Sequence, residues 1–192
     1  MTWAIGNGES RTNINIDLLE GYKIGCNAIF RDFAVDELIC VDRKMVIDAV
    51  DSNFNKTIRT RKDWISRFVE HKNVTQVPDL PYKGEKRQDD PFQWGSGPYA
   101  ILRACEISNT VHILGFDLYS KTNYLNNVYK DTLNYDKSNK RPVDPSYWIY
   151  QIHKLFECFQ DKKFIIYQDE TWELPMSWKC NNVSLDKISN IV

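Results

Sequence analysis

The chain has 192 residues, of which 42% are hydrophobic, 13% aromatic and 27% charged, with 8 glycines and 7 prolines. That profile excludes a disordered, collagenous or disulfide-stapled chain and fits one globular domain over residues 1–192, long enough to bury about 70% of its unfolded surface. Because 25 Lys and Arg stand against 26 Asp and Glu, for a net charge of -1, no global field draws it to nucleic acid or an anionic membrane.

The five cysteines, Cys26, Cys40, Cys105, Cys158 and Cys180, form no CxxC pair and read as small apolar residues of a reducing compartment. The N-terminus lacks the pattern of a signal peptide, and no stretch approaches a membrane span, so a cytoplasmic location is expected. Oligomeric state is left open.

Short apolar runs alternate with helix-like segments, which predicts an α/β fold: Rossmann-like, with a mostly parallel central sheet and helices on both faces. Residues 2–5 read as a first strand ending in Gly6-Asn7-Gly8, residues 22–27 as a second and residues 37–42 as a third. Helical periodicity covers 44–51 and 62–71, the latter with Trp64, Ile65, Phe68 and Val69 on one side. Gly95-Ser96-Gly97-Pro98 opens a helix reaching about Ile107, with Pro98 at the first helical position and Gly97 or Ser96 as cap, and a strand follows over 110–117. Residues 118–145 are polar and tyrosine-rich, the pattern of a lid-like segment. A helix from about Asp144, a strand over 163–167 and a tail packing over the sheet edge complete the chain.

Strand ends in a parallel sheet share one edge, so the residues after each strand are the candidates for ligand binding. Gly6, Asn7, Gly8 and Ser10 form one such group, where two glycines allow close approach of an anion. Arg11 occupies the position a GxGxxG fingerprint gives to glycine. Gly95, Ser96 and Gly97 bring free N–H groups and a helix dipole to the same edge. Asn27, Asp42 and Asp117 suit sugar hydroxyls or a base edge. Tyr119, Tyr124 and Tyr129 offer phenol donors, whereas His112 and His153 read as structural and residues 83–90 as a solvated charged loop. No HExxH or DxD pattern occurs, so no metal site is expected.

In order and rough spacing, Gly6-Asn7-Gly8-Glu9-Ser10, Cys26-Asn27, Gly95-Ser96-Gly97 and Ile113-Leu114-Gly115-Phe116-Asp117-Leu118-Tyr119 resemble motifs of the bacterial CMP-sialic-acid-dependent sialyltransferases that decorate lipo-oligosaccharide. The resemblance covers about residues 1–170. It implies a glycosyltransferase that passes a sugar from a nucleotide-sugar donor, CMP-linked in that family, to a glycan or other hydroxyl acceptor without a metal or resident cofactor. It also implies nucleotide contacts at Asn7, Gly8, Asn27, Asp42 and Ser96, a role for Gly115 to Tyr119, and phosphate assistance by Tyr119 and Tyr124. Glu9 stands where the family has proline, and Asp42 where it has asparagine. The family's histidine base is replaced here by residues 141–146, leaving Asp144 as the expected base. The alternatives are a hydroxymethylpterin pyrophosphokinase-like transferase, which would need ATP and Mg²⁺, and a non-catalytic nucleotide-binding module.

Overall fold

The apolar runs pair as strands because a parallel strand buries both its faces, and β1 (Thr2–Ile5) is buried at all four positions. The computed structural model describes residues 1–191. It adds β2 (Tyr22–Cys26), β3 (Glu37–Ile39), β4 (Thr57–Thr60), β5 (Val74–Gln76), β6 (Thr110–Leu114), β7 (Lys163–Gln168) and β8 (Val183–Lys187). These eight strands form one sheet in the order β5-β4-β3-β2-β1-β6-β7-β8. Every pairing is parallel, so the Rossmann-like α/β expectation is met, with a sheet that is wholly rather than mostly parallel.

Among the described residues four α-helices accompany the sheet: α1 (Arg43–Asp51), the single turn α2 (Lys62–Ile65), α3 (Ser96–Ile107) and α4 (Ser146–Cys158). Alternation along the strands sends Ala4, Ile24, Ile39 and Ile113 to one face, where they pack with Ala100, Ala104 and Ile152 of α3 and α4. Trp3, Ile5, Leu38 and Leu114 go to the other, with Met45, Val46 and Ala49 of α1. The small side chains of α3 let it lie close to the sheet. A Cβ on Gly97 would meet the Phe116 ring at 2.8 Å.

Three expectations need correction. The helix over 62–71 stops after one turn, because Arg67, Phe68 and His71 donate to carbonyls three residues back and Val69 points to solvent rather than joining an apolar stripe. α3 is capped by Gly95, ahead of the expected Ser96 or Gly97, and β6 ends at Leu114. The tail does not cover the sheet edge: its residues Val183–Lys187 are the edge strand β8, and Val192 lies outside the described residues. β4 and β5 escape a periodicity search because they are short and half polar, reading Thr-Ile-Arg-Thr and Val-Thr-Gln.

At the start of β3 the buried carboxylate of Glu37 gathers Arg59, Arg103 (3.0 Å) and the Tyr22 hydroxyl (3.1 Å), joining β2, β3, β4 and α3. Among the described residues no helix is long and apolar enough to cross a membrane.

The strand order fixes where a ligand can enter. From β1 the chain steps outward to β5, returns through α3 to β6 on the other flank of β1, and steps outward again to β8. The carboxyl ends of β1 and β6 therefore flank the point where the order reverses, and the loops leaving them diverge to open a crevice.

Candidate functional site

That crevice holds a cavity of about 270 Å³ lined by segments far apart in the chain: Gly6 to Gly8, Asn27, Asp42, Gly95 to Gly97, and Gly115 to Asp117. Ser10 and Tyr119 face a second cavity of about 980 Å³ beyond β6, and Asp117, Ser120 and Asn126 line both. Tyr124 and Asp144 line neither cavity. Asp144 is exposed, and its Oδ1 accepts the Ser146 N–H at 2.9 Å at the start of α4.

The first glycine loop is committed to the fold. Its Gly6 and Gly8 N–H groups donate to Leu114 O (2.8 Å) and Gly115 O (2.9 Å), clamping β1 to β6 and leaving neither for an anion. The close approach requires glycine on both sides. Gly115 has φ +73, and a Cβ there would lie 2.8 Å from Gly6 O. Gly8 leaves room for the buried carboxylate of Asp117, which accepts bonds from the Ser10 N–H (2.9 Å), the Ser10 hydroxyl and Gln168 Nε2 (3.2 Å). Asp117 is thus a loop fastener, with both oxygens engaged.

Asn7 is similarly occupied. Its amide donates to Cys26 O (3.1 Å) and Tyr135 OH (3.2 Å), while its Oδ1 accepts from Arg11 Nη2 (3.2 Å). Arg11, also bonded to Gly6 O at 2.8 Å and Tyr129 OH at 3.2 Å, is a buried guanidinium holding the loop from beneath. Burial pushes the Tyr129 phenol up to about 12.

The opposite wall is the one left open. Ser96 accepts the Val41 N–H (3.1 Å) and donates to Asn27 Oδ1 (2.9 Å), tying α3 to the ends of β2 and β3. The N–H groups of Ser96 and Gly97, in the first turn of a twelve-residue helix, have no intrahelical acceptor. Asn27 adopts the left-handed region at φ 51, which asparagine tolerates, and its NH₂ has no partner among the described residues. Asp42 caps α1 through its carbonyl, and its side chain makes no capping bond. This wall thus brings helix-start amides and a helix dipole beside an uncommitted carboxylate and amide.

Residues 118–145 contain no helix or strand and lie over this site. Val128 N–H donates to Asn7 O (2.9 Å), the Glu9 N–H to Asn126 Oδ1 (2.8 Å) and Lys44 Nζ to Asn134 O (2.7 Å). Tyr119 is exposed at the rim, its phenol raised above 10.0 by burial of its hydroxyl and by the charge of Glu173. A raised phenol keeps its proton and remains a donor.

Several lining residues carry no signal in the sequence: Asn126, Asn127, Leu125, Val143 and Trp148. Trp148 reads as part of the apolar face of the last long helix, with Ile149, Ile152, Leu155, Phe156 and Phe159, and the asparagines read as loop composition. Only the return of 118–145 across the first loop brings Leu125, Asn126, Asn127 and Val143 to the cavity, while α4 sets Trp148 against Gly95.

Fold and site together define an α/β protein with a Rossmann-like parallel sheet and a cleft of mixed polar and apolar lining at its topological switch point. Compared with protein-family models, curated proteins and solved structures, the chain matches none.

Proposed function

We propose that the protein binds a nucleotide sugar along the carboxyl edge of its sheet and passes the sugar to a hydroxyl acceptor. The observation that carries this reading is the meeting of the Gly6, Asn27, Asp42, Gly95 and Gly115 segments around one cavity. Amides at the start of α3 suit a phosphate, and Asn27 and Asp42 suit a base edge and sugar hydroxyls. The Tyr119 phenol lines the adjoining cavity and not this one, so it takes no part in holding the nucleotide phosphate in this reading. The motif order shared with CMP-dependent sialyltransferases favours a CMP-linked donor. All five cysteines are free, which suits a cytoplasmic setting.

Calorimetric titration with CMP, UDP and GDP tests the reading. The expected result is micromolar to millimolar binding of one nucleotide, weakened at least fivefold in Asp42→Ala. An absence of binding by all three at millimolar concentration overturns it. A second reading, a nucleotide-binding module without turnover, draws on the position of Asp144 outside both cavities. Nucleotide binding without transfer to any hydroxyl compound would favour it.

A further inference from the structure

The larger cavity has no role in the nucleotide site, yet it opens from the same wall. It lies beyond the carboxyl ends of β1, β6 and β7, and Asp117, Ser120 and Asn126 separate it from the first cavity. Its lining includes an aromatic pair, Tyr119 at the rim and Trp172, with ring centroids 6.5 Å apart. The indole is held in place by donating to Asp117 O at 2.7 Å. Met176 adds an exposed apolar side chain, while Ser120, Thr122 and Lys179 supply hydrogen-bonding groups at its margin.

Four carboxylates line this cavity, and their surroundings differ. Asp117 has both oxygens engaged by Ser10 and Gln168. Asp169 accepts from Lys121 Nζ (2.6 Å) and from the Thr171 N–H (2.9 Å) and hydroxyl (2.6 Å), which hold its carboxyl down to about 2. Glu173 enters from the segment after β7, none of whose residues lines the first cavity. Glu9 alone is the chain neighbour of Gly8 in the nucleotide site, and its N–H is fastened to Asn126 in the shared wall. One oxygen of Glu9 pairs with Lys130, and the other has no partner among the described residues.

We propose that this second cavity holds the acceptor, a neutral hydroxyl-bearing ring compound stacked on Trp172 and Tyr119, and that the Glu9 carboxylate takes the proton from its reacting hydroxyl. The inference rests on the sugar-transfer reading. In the step, the acceptor oxygen forms a bond to the anomeric carbon as its proton passes to Glu9. The bond from that carbon to the phosphate oxygen breaks, and its electron pair leaves with the nucleotide. Glu9 then returns the proton to solvent. The ring stacks because aromatic faces accept apolar ring faces, and one paired and one free lysine among four carboxylates give a polyanion no purchase.

The test compares wild type, Glu9→Gln and Trp172→Ala, using CMP for binding and a CMP-linked sugar with a panel of free mono- and disaccharides for transfer. Glu9→Gln is expected to bind CMP within twofold of wild type and to lose transfer by about 10²- to 10⁴-fold in kcat. Trp172→Ala is expected to raise the acceptor KM at least tenfold with CMP affinity unchanged. Wild-type transfer retained in Glu9→Gln, or an acceptor KM unmoved by Trp172→Ala, overturns this inference while leaving the nucleotide site standing. CMP binding with no transfer by wild type to any sugar also overturns it. No nucleotide binding at all removes the broader reading as well. Glu9 is partly exposed, so its glutamine variant is expected to fold, with near-ultraviolet circular dichroism as the check.

Discussion

At the scale of single residues, backbone geometry is the strictest constraint on the site. Gly115 combines a left-handed φ of +73 with backbone contact to Gly6, so Gly115→Ala adds both conformational strain and a clash with Gly6 O. The expected cost is about 2–4 kcal/mol, read from urea unfolding, against a few tenths for a solvent-facing alanine substitution. The buried carboxylate of Glu37 makes a different demand. Replacing it with glutamine leaves Arg59 and Arg103 without their shared counter-charge. Both arginines reach solvent, which softens the loss to roughly 2–3 kcal/mol. Near-wild-type stability of Glu37→Gln would show that the two guanidiniums are solvated in place.

Ser96 and α3 carry the argument at the scale of elements. The hydroxyl joins three elements, and Ser96→Ala strands the Val41 N–H, so a loss of about 1–3 kcal/mol is expected together with weaker nucleotide binding. A stability loss without any change in affinity would make Ser96 a brace only. Much of this element was legible in the sequence: a Gly-Ser-Gly-Pro run before an apolar stripe marks a helix start through local chemistry alone. The end of β1 was legible for the same reason, whereas the strand read over 110–117 ran three residues past its end at Leu114. Arg11, Asn126 and Trp148 were not, because their importance comes from partners such as the Glu9–Asn126 bond, which spans 117 positions. Local pattern also failed at 62–71, where tertiary packing of Phe68 replaced a helix with turns.

At the scale of the whole molecule, two measurements follow. His112 is buried between strands, with Nδ1 2.9 Å from Tyr167 OH, and burial, more than the charge of the N-terminus, lowers its pKa below 6.5. The unfolded chain therefore takes up this proton first on acidification. Stability is expected to be lost as pH falls from 6.5 toward the lower folded value, and His112→Gln is expected to flatten that part of the curve. An unchanged slope would show that the imidazole titrates alike in both states. The second measurement is thermal. A nucleotide at a hundred times its Kd adds about 2.7 kcal/mol, or roughly 5–10 °C in a domain of this length. CMP at that excess with no shift in Tm would contradict binding to the folded cleft.

The sequence alone determined the α/β class, the end of β1, the start of β6 and, to within two residues, the start of α3, because apolar runs, glycines and helix-start residues act over a few neighbouring positions. Only the tertiary structure decided that the first glycine loop spends its Gly6 and Gly8 amides on β6, and that Asp144 stands apart while Glu9 borders a second cavity. Those outcomes depend on which distant segments meet at the switch of strand order. Hydrogen bonds there are shared out by the geometry of the sheet, which no local pattern of residues encodes.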